Sequence, residues 1–269
     1  MYASNYLETA IINLMRGTSG KTFTAPANLY VGLFHSNPTD TGTAGTEASY
    51  TNYARQKITF GAPTAVSTGS PSLYMQNTNI LTFPKTTAAG NSIQYVGVFD
   101  ATTGGNMLLY GSLSTALAIQ SGVSPVFRAG KLKWTWAGNL SVYYRTLIMN
   151  TIRGSNASIA AFTPYIALYN GDPLDGGTEL SGKSYARFTV TFSAATQISS
   201  GAAQTSNSGT SAVLSPVSGA NWGTLTHIAI CDAATAGNIF AGVSLGASFS
   251  MLTGSVAGFE PGELKFTIN

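Results

Sequence analysis

Apolar residues in the stretch SNYLETAIINLMRG recur at helical spacing, with Leu7, Ile11, Leu14 and Met15 on one face. Asn5 followed three residues on by Glu8 fits a capping box, and Gly17 fits the position just past a helix end. A second stretch, SVYYRTLIMNTIRG, repeats the pattern through Val142, Leu147, Ile148 and Ile152. After each stretch the period drops to two. Residues 29–34, 58–60, 93–99, 107–113 and 132–136 read as strands, punctuated by Pro-Thr-Asp, Thr-Gly-Gly-Asn and Ala-Gly-Asn turns. Two Ser/Thr/Gly-rich stretches, 61–79 and 193–212, carry no clear period and read as extended loops or an excursion between sheets.

The order helix-then-strands occurs twice because the chain is an internal duplication. Residues 37–60 return as 171–192, and 96–113 return as 228–245. Tyr53-Ala54-Arg55 aligns with Tyr185-Ala186-Arg187 at a shift of 132, as do Asp100 with Asp232 and Lys133 with Lys265. Pro38 aligns with Pro173 at 135, and Arg16 with Arg153 at 137. The drift is absorbed before Tyr30 and before Glu47, where loops tolerate insertion. The expectation is a mainly β chain of two tandem, similar β-sandwich domains, residues 1–137 and 138–269. Each is preceded by one α-helix and holds six to eight strands.

Composition narrows the function. Charged residues make up only 9% of 269, against about 25% in ordinary domains. Hydrophobic residues make up 44%, so disorder is excluded. The net charge of +3 is spread thinly, with eight bases and four acids in 1–137 and five bases and six acids in 138–269. No basic stripe exists to neutralise phosphates, which argues against nucleic acid as a partner. No apolar run spans a membrane, and the N-terminus lacks the basic start of a signal peptide, so synthesis in a reducing cytoplasm is expected. The single Cys231 excludes an intramolecular disulfide and a thiolate metal cluster.

The search for chemistry returns anchors. Asp40 and Asp175 sit in Pro-x-Asp-x-Gly turns, where a carboxylate bonds the backbone two residues on. Asp100 and Asp232 close a strand and open a Gly-containing hairpin. Glu47 with Arg55, and Glu179 with Arg187, suit an ion pair fixing a loop to the next strand. Arg16/Arg153 and Lys133/Lys265 also occur twice. His35 and His227 do not recur, so no metal site is expected. Cys231 aligns with Phe99 and reads as a small buried hydrophobe, with His227 four residues away as a weak catalytic alternative. Gly17-Thr18-Ser19-Gly20-Lys21-Thr22 imitates a phosphate loop but lacks its first Gly and follows a helix. Asn139-Leu140-Ser141 and Asn156-Ala157-Ser158 match a glycosylation pattern that has no meaning without secretion. No catalytic residue and no cofactor are expected.

The same residues carry a family resemblance. Leu29-Tyr30-Val31-Gly32-Leu33-Phe34, Asn37-Pro38-Thr39-Asp40, Gly45-Thr46-Glu47, Tyr53-Ala54-Arg55 and Gly97-Val98-Phe99-Asp100 resemble a bacteriophage virion family commonly labelled phage tail fibre proteins. The second half is similar through Asp172-Pro173, Gly177-Thr178-Glu179, Tyr185-Ala186-Arg187 and Trp222-Gly223-Thr224-Leu225-Thr226-His227. The resemblance implies a non-enzymatic structural protein on the particle exterior, partnered by other virion proteins and present in several copies. A tail-associated fibre leads. A capsid decoration protein bridging shell subunits is the alternative. A host-glycan-binding module, using Tyr and Trp as stacking platforms, is the third reading.

Overall fold

The computed structural model describes residues 1–198, 201–209, 212–213 and 217–268. It is mainly β, with two α-helices: α1 spans Asn5–Leu14 and α2 spans Val142–Ile152.

Both helices start at a serine. Ser4 is extended, and its Oγ accepts the Leu7 N–H; Ser141 does the same for Tyr144. The expected capping box at Asn5 is therefore one residue out of register. With Ser4 as cap, Glu8 lies too far along to reach back, and its side chain turns inward. Leu7, Ile11, Ile12, Leu14 and Met15 are buried on α1. On α2 the buried set is Tyr144, Arg145, Ile148, Met149, Thr151 and Ile152, while Val142 is exposed. These are the positions equivalent to Leu7, Glu8, Ile11, Ile12, Leu14 and Met15 at the shift of 137. Val142 and Leu147 lie off that face. Gly17 takes φ +57 and Gly154 φ +80, the left-handed region beyond each helix.

Each half contributes one large antiparallel sheet. In the first the order is Tyr2–Ala3, Met107–Ile119, Gly90–Phe99, Leu29–Phe34 and Gln56–Ile58. In the second, Tyr165–Asn170 pairs with Thr178–Glu179 and Phe188–Thr189 on one side. On its other side lies Gly223–Cys231, followed by Ile239–Met251. The strand at residue 107 runs on to Ile119, well past the expected end at 113, because its small polar residues continue a hairpin with Gly90–Phe99 across bulges.

The Ser/Thr/Gly stretches combine loop with short strands. They supply Thr64–Ala65 and Leu73–Gln76 in one half and Thr196–Ile198 and Ala202–Ser208 in the other. Leu73–Gln76 pairs with Lys133–Trp136, and Ala202–Ser208 pairs with Lys265–Ile268, making a small sheet in each half. Residues 199–200 and 210–211 of the second stretch fall outside the described residues. Strand segments outnumber the expectation because several are two-residue pairings.

The helices tie the halves together. α1 packs on Met107–Ile119 of its own half and on Ala202–Ser208 of the other. α2 packs on Ile239–Met251 of its own half and on Leu73–Gln76 of the other. Between them Phe23–Thr24 pairs antiparallel with Ser158–Ile159, one strand from each half. One cluster of buried apolar side chains runs from Ala3 to Ile268 through both halves.

Candidate functional site

Glu47 with Arg55, and Glu179 with Arg187, form two matching clusters. On the first large sheet the Arg55 guanidinium grips Glu47 with both ends of its fork, Nε to Oε1 and Nη2 to Oε2, each at 2.8 Å. Its remaining Nη1 donates to the carbonyls of Ala101 at 3.2 Å and Gly104 at 2.8 Å. The guanidinium lies 3.4 Å from the centre of the Phe99 ring. Tyr53 completes the unit. Its hydroxyl donates to Glu47 at 2.9 Å and accepts the Leu33 N–H at 2.8 Å. The cluster sits so close over the strand that a Cβ on Gly32 would lie 2.6 Å from Glu47 Oε1.

The second half repeats this with Glu179, Tyr185 and Arg187. Both guanidinium–carboxylate bonds are again 2.8 Å, and Arg187 reaches the Ala233 carbonyl at 3.0 Å and that of Ala236 at 2.6 Å. Tyr185 bridges Glu179 at 2.8 Å and the Leu168 N–H at 3.1 Å. Burial works to raise the Glu179 carboxyl, but the hydrogen bonds from Arg187 and Tyr185 leave it below the usual carboxylate range. Each arginine thus joins three segments: the loop that carries its glutamate, its own strand, and the hairpin closed by Asp100 or Asp232.

Those hairpins are closed by their aspartates. Asp100 accepts Asn106 N–H at 2.7 Å and its Nδ2 at 2.8 Å; Asp232 accepts Asn238 N–H at 2.7 Å and its Nδ2 at 3.0 Å. Gly105 and Gly237, both at φ +70, leave room for these carboxylates. Asp232 also receives the Tyr144 hydroxyl at 2.9 Å, which fastens α2 to the hairpin.

Asp40 and Asp175 do something else. The turn bond expected of them is made by Asn37, whose Oδ1 accepts the Thr39 N–H at 2.9 Å. In the second half Asp172 makes it, to the Leu174 N–H at 2.8 Å. The Asx position lies three residues earlier, so the later aspartates are free to point away. Asp40 accepts the Tyr110 hydroxyl and lies against Gly201 of the other half. Asp175 is exposed on the wall of a cleft beside α2.

Two inward-facing residues escaped the sequence reading. Glu8 is 1% exposed, and neither carboxylate oxygen has a hydrogen-bond partner. Burial, with Asp40 adding repulsion, pushes its carboxyl up to about 8. Arg145, at the equivalent place on α2, is 2% exposed, and its Nε and Nη1 have no partner. The signal was available: each is an ionisable residue on the apolar face, one position after Leu7 or Tyr144.

The remaining candidates are placed as follows. Cys231 is fully buried beside Ala167, Tyr169 and Ala229, and burial pushes its thiol up to about 11. His227 Nδ1 pairs with Thr226 Oγ1 at 2.9 Å, and His35 Nδ1 lies 3.2 Å from the Ser92 carbonyl. Among the described residues no three His, Cys, Asp or Glu gather as a metal site. The segment that imitates a phosphate loop forms a 3-10 turn, Gly17–Ser19, whose Gly17 N–H bonds Phe162 of the other half at 3.0 Å. Among the described residues no helix is long and apolar enough to cross a membrane. Trp134, Trp136 and Trp222 are all buried, so none offers a stacking surface.

A mainly β chain whose charges anchor its own loops, in two matching copies, has the make-up of a structural protein. The family model described as podophage GP4 fiber I protein gp80 matches it twice, over residues 2–135 and 139–267. The chain belongs to that family and carries two tandem units of it, which makes it a structural component of a phage virion. No curated protein matches it.

Proposed function

We propose that this protein is a non-enzymatic, tail-associated fibre component on the exterior of the particle, docked to other virion proteins and present in several copies. The observation that carries the reading is the double match to a fibre family across nearly the whole chain. The geometry supports it: the recurrent charged residues hold loops and hairpins in place, as a part that must keep its shape requires. Glu47, Arg55, Asp100, Glu179, Arg187 and Asp232 are assigned structural anchoring roles on that basis, and Asp40 a role in the contact between the halves. Residues 1–137 and 138–269 are taken as two units, each a sandwich of one large and one small sheet. The exchange of helix contacts makes them a fused pair held at fixed geometry.

A fixed pair presents two similar docking faces, so engagement of one makes engagement of the other effectively intramolecular. Reconstruction of the intact particle with this chain located in it tests the proposal. A small number of copies on the tail is expected. Copies by the hundred on the head would replace it with the capsid decoration reading.

A further inference from the structure

The equivalent helix positions Glu8 and Arg145 carry opposite charges in different surroundings. Glu8 is covered: α1 packs on Ala202–Ser208 of the second half, and Asp40 lies against Gly201 beside it. α2 packs on the equivalent strand of the first half, Leu73–Gln76, but the turn that precedes that strand does not close over Arg145. What remains between the turn at Gly69–Pro71, α2 and the 172–175 loop is a cleft of about 1070 Å³. Among the residues that line it only Ser141 and Arg145 are buried. Ser141 Oγ is engaged in capping α2. Arg145 is the one buried polar group of the lining without a partner at Nε and Nη1. Burial alone depresses its guanidinium, with no carboxylate acting to restore it. A buried, unpaired guanidinium is costly to a fold. A planar anion across Nη2 and one of these two nitrogens would relieve part of that cost through two parallel charge-assisted bonds.

The rest of the lining describes what bears the anion. Tyr143 is 50% exposed at the mouth, an aromatic face open to a ligand. Ser70, Asn139, His227 and Asn238 supply hydrogen-bond donors and acceptors from both halves, and the two acids, Asp172 and Asp175, are exposed. One buried cation, one open aromatic ring and a ring of hydrogen-bonding groups suit a hydroxyl-rich molecule with a single strong anionic handle. The volume is slightly above what small-ligand sites enclose, about 300–1000 Å³.

We propose that this cleft binds an acidic saccharide, with a sugar carboxylate on Arg145 and a sugar face on Tyr143. The inference goes beyond the fibre reading and does not depend on where the chain is mounted, so a particle reconstruction and the binding test fail separately.

The test is calorimetric titration of the purified full chain with trigalacturonate, its methyl ester, and a hexaglutamate peptide. Trigalacturonate is expected to bind at least roughly tenfold more tightly than the uncharged ester. Arg145→Met is expected to abolish that binding while the melting temperature holds or rises, because an unpartnered buried cation has been removed. Equal binding of the ester, no binding at millimolar concentration, or binding that survives Arg145→Met would overturn the proposal. Hexaglutamate binding as tightly as trigalacturonate would overturn it in favour of a protein carboxylate. A strong drop in melting temperature in Arg145→Met would show a structural role and also overturn it. Tyr143→Ala, at an exposed position, gives an independent reading: binding should weaken roughly tenfold with the melting temperature unchanged, and undiminished binding would count against the site.

Discussion

Replacing Arg55 by Ala removes more than a charge. Glu47 loses both bonds at 2.8 Å and keeps only the Tyr53 hydroxyl. The carbonyls of Ala101 and Gly104 lose their donor, and the Phe99 ring loses its cation. Breaking a buried pair from one side costs about 3–5 kcal/mol. The Arg55 side chain is 8% exposed but Glu47 is 27% exposed, and water reaching the orphaned carboxylate puts the loss near the lower end, about 3 kcal/mol. At a urea dependence of roughly 3 kcal/mol per molar, the midpoint should fall by about 1 M. Removing both partners, as Glu47→Leu with Arg55→Met, should cost much less, since no charge is left behind.

Tryptophan fluorescence reads the two halves separately. Trp134 and Trp136 stack at 5.1 Å in the first, and Trp222 lies against Tyr185 at 5.3 Å in the second. The buried cluster is continuous through both halves and each helix packs on both, so Arg55→Ala should shift both transitions together. Parallel measurements in Trp222→Phe and in the Trp134→Phe, Trp136→Phe double variant isolate the probes. A shift seen by Trp134 and Trp136 while the Trp222 transition stays put would refute the single cooperative core. A shift under about 0.2 M would refute the anchoring role of the ion pair.

Three further outcomes are expected. Glu8 holds its proton to about pH 8 in the fold against 4.5 when unfolded, so the folded state binds more protons between those values and stability falls as pH rises through that window. Glu8→Gln should lose that fall, and melting curves of the two proteins that stay parallel from acid to alkaline pH would exclude it. Gly32→Ala places a Cβ 2.6 Å from Glu47 Oε1 and should cost about 2 kcal/mol, measured by urea unfolding; a neutral result would mean the cluster can move aside. Cys231, buried and with a raised thiol, should resist a thiol reagent in the native protein and react once urea unfolds it. Rapid native labelling would place it at the surface.

The elements that were legible in the sequence are those with a strong apolar period. Leu29–Phe34 is found with the bounds the alternation marks, and both helices lie where the spacing puts them. The small sheets were not legible, because strands such as Ala202–Ser208 are built from small and polar residues with little apolar alternation. Their inward Thr205 and Asn207 are buried and hydrogen-bonded, to Ser193 at 2.8 Å and to the Glu260 carbonyl at 2.9 Å, in place of apolar contact. The crossing of helices between halves was hidden for a different reason. Periodicity tells which face of α1 is buried, and nothing about which strand buries it. Of the site, the Glu47–Arg55 and Glu179–Arg187 spacings stood out because they recur, whereas Glu8 was drawn to a capping role by setting the cap at Asn5 instead of Ser4.

Comparing the halves separates what the architecture requires from what it permits. The glutamate, tyrosine and arginine of each cluster all recur, because the loss of any one leaves a buried partner unsatisfied. Positions facing the seam have diverged: Glu8 against Arg145, Tyr110 against Gly242. In a dimer of separate identical chains such differences could not exist, since both copies of the α1 position would carry the same charge. Fusion lifts that constraint. It lets one seam close, with Asp40 bonded to Tyr110 and seated against Gly201, while the other stays open over an unpaired arginine. The asymmetry therefore has a direction. The first-half helix sits over a closed, acid-lined contact, and the second-half helix lines the open cleft. A part mounted on a larger particle through similar docking faces can in this way keep one surface of its own that its twin does not share.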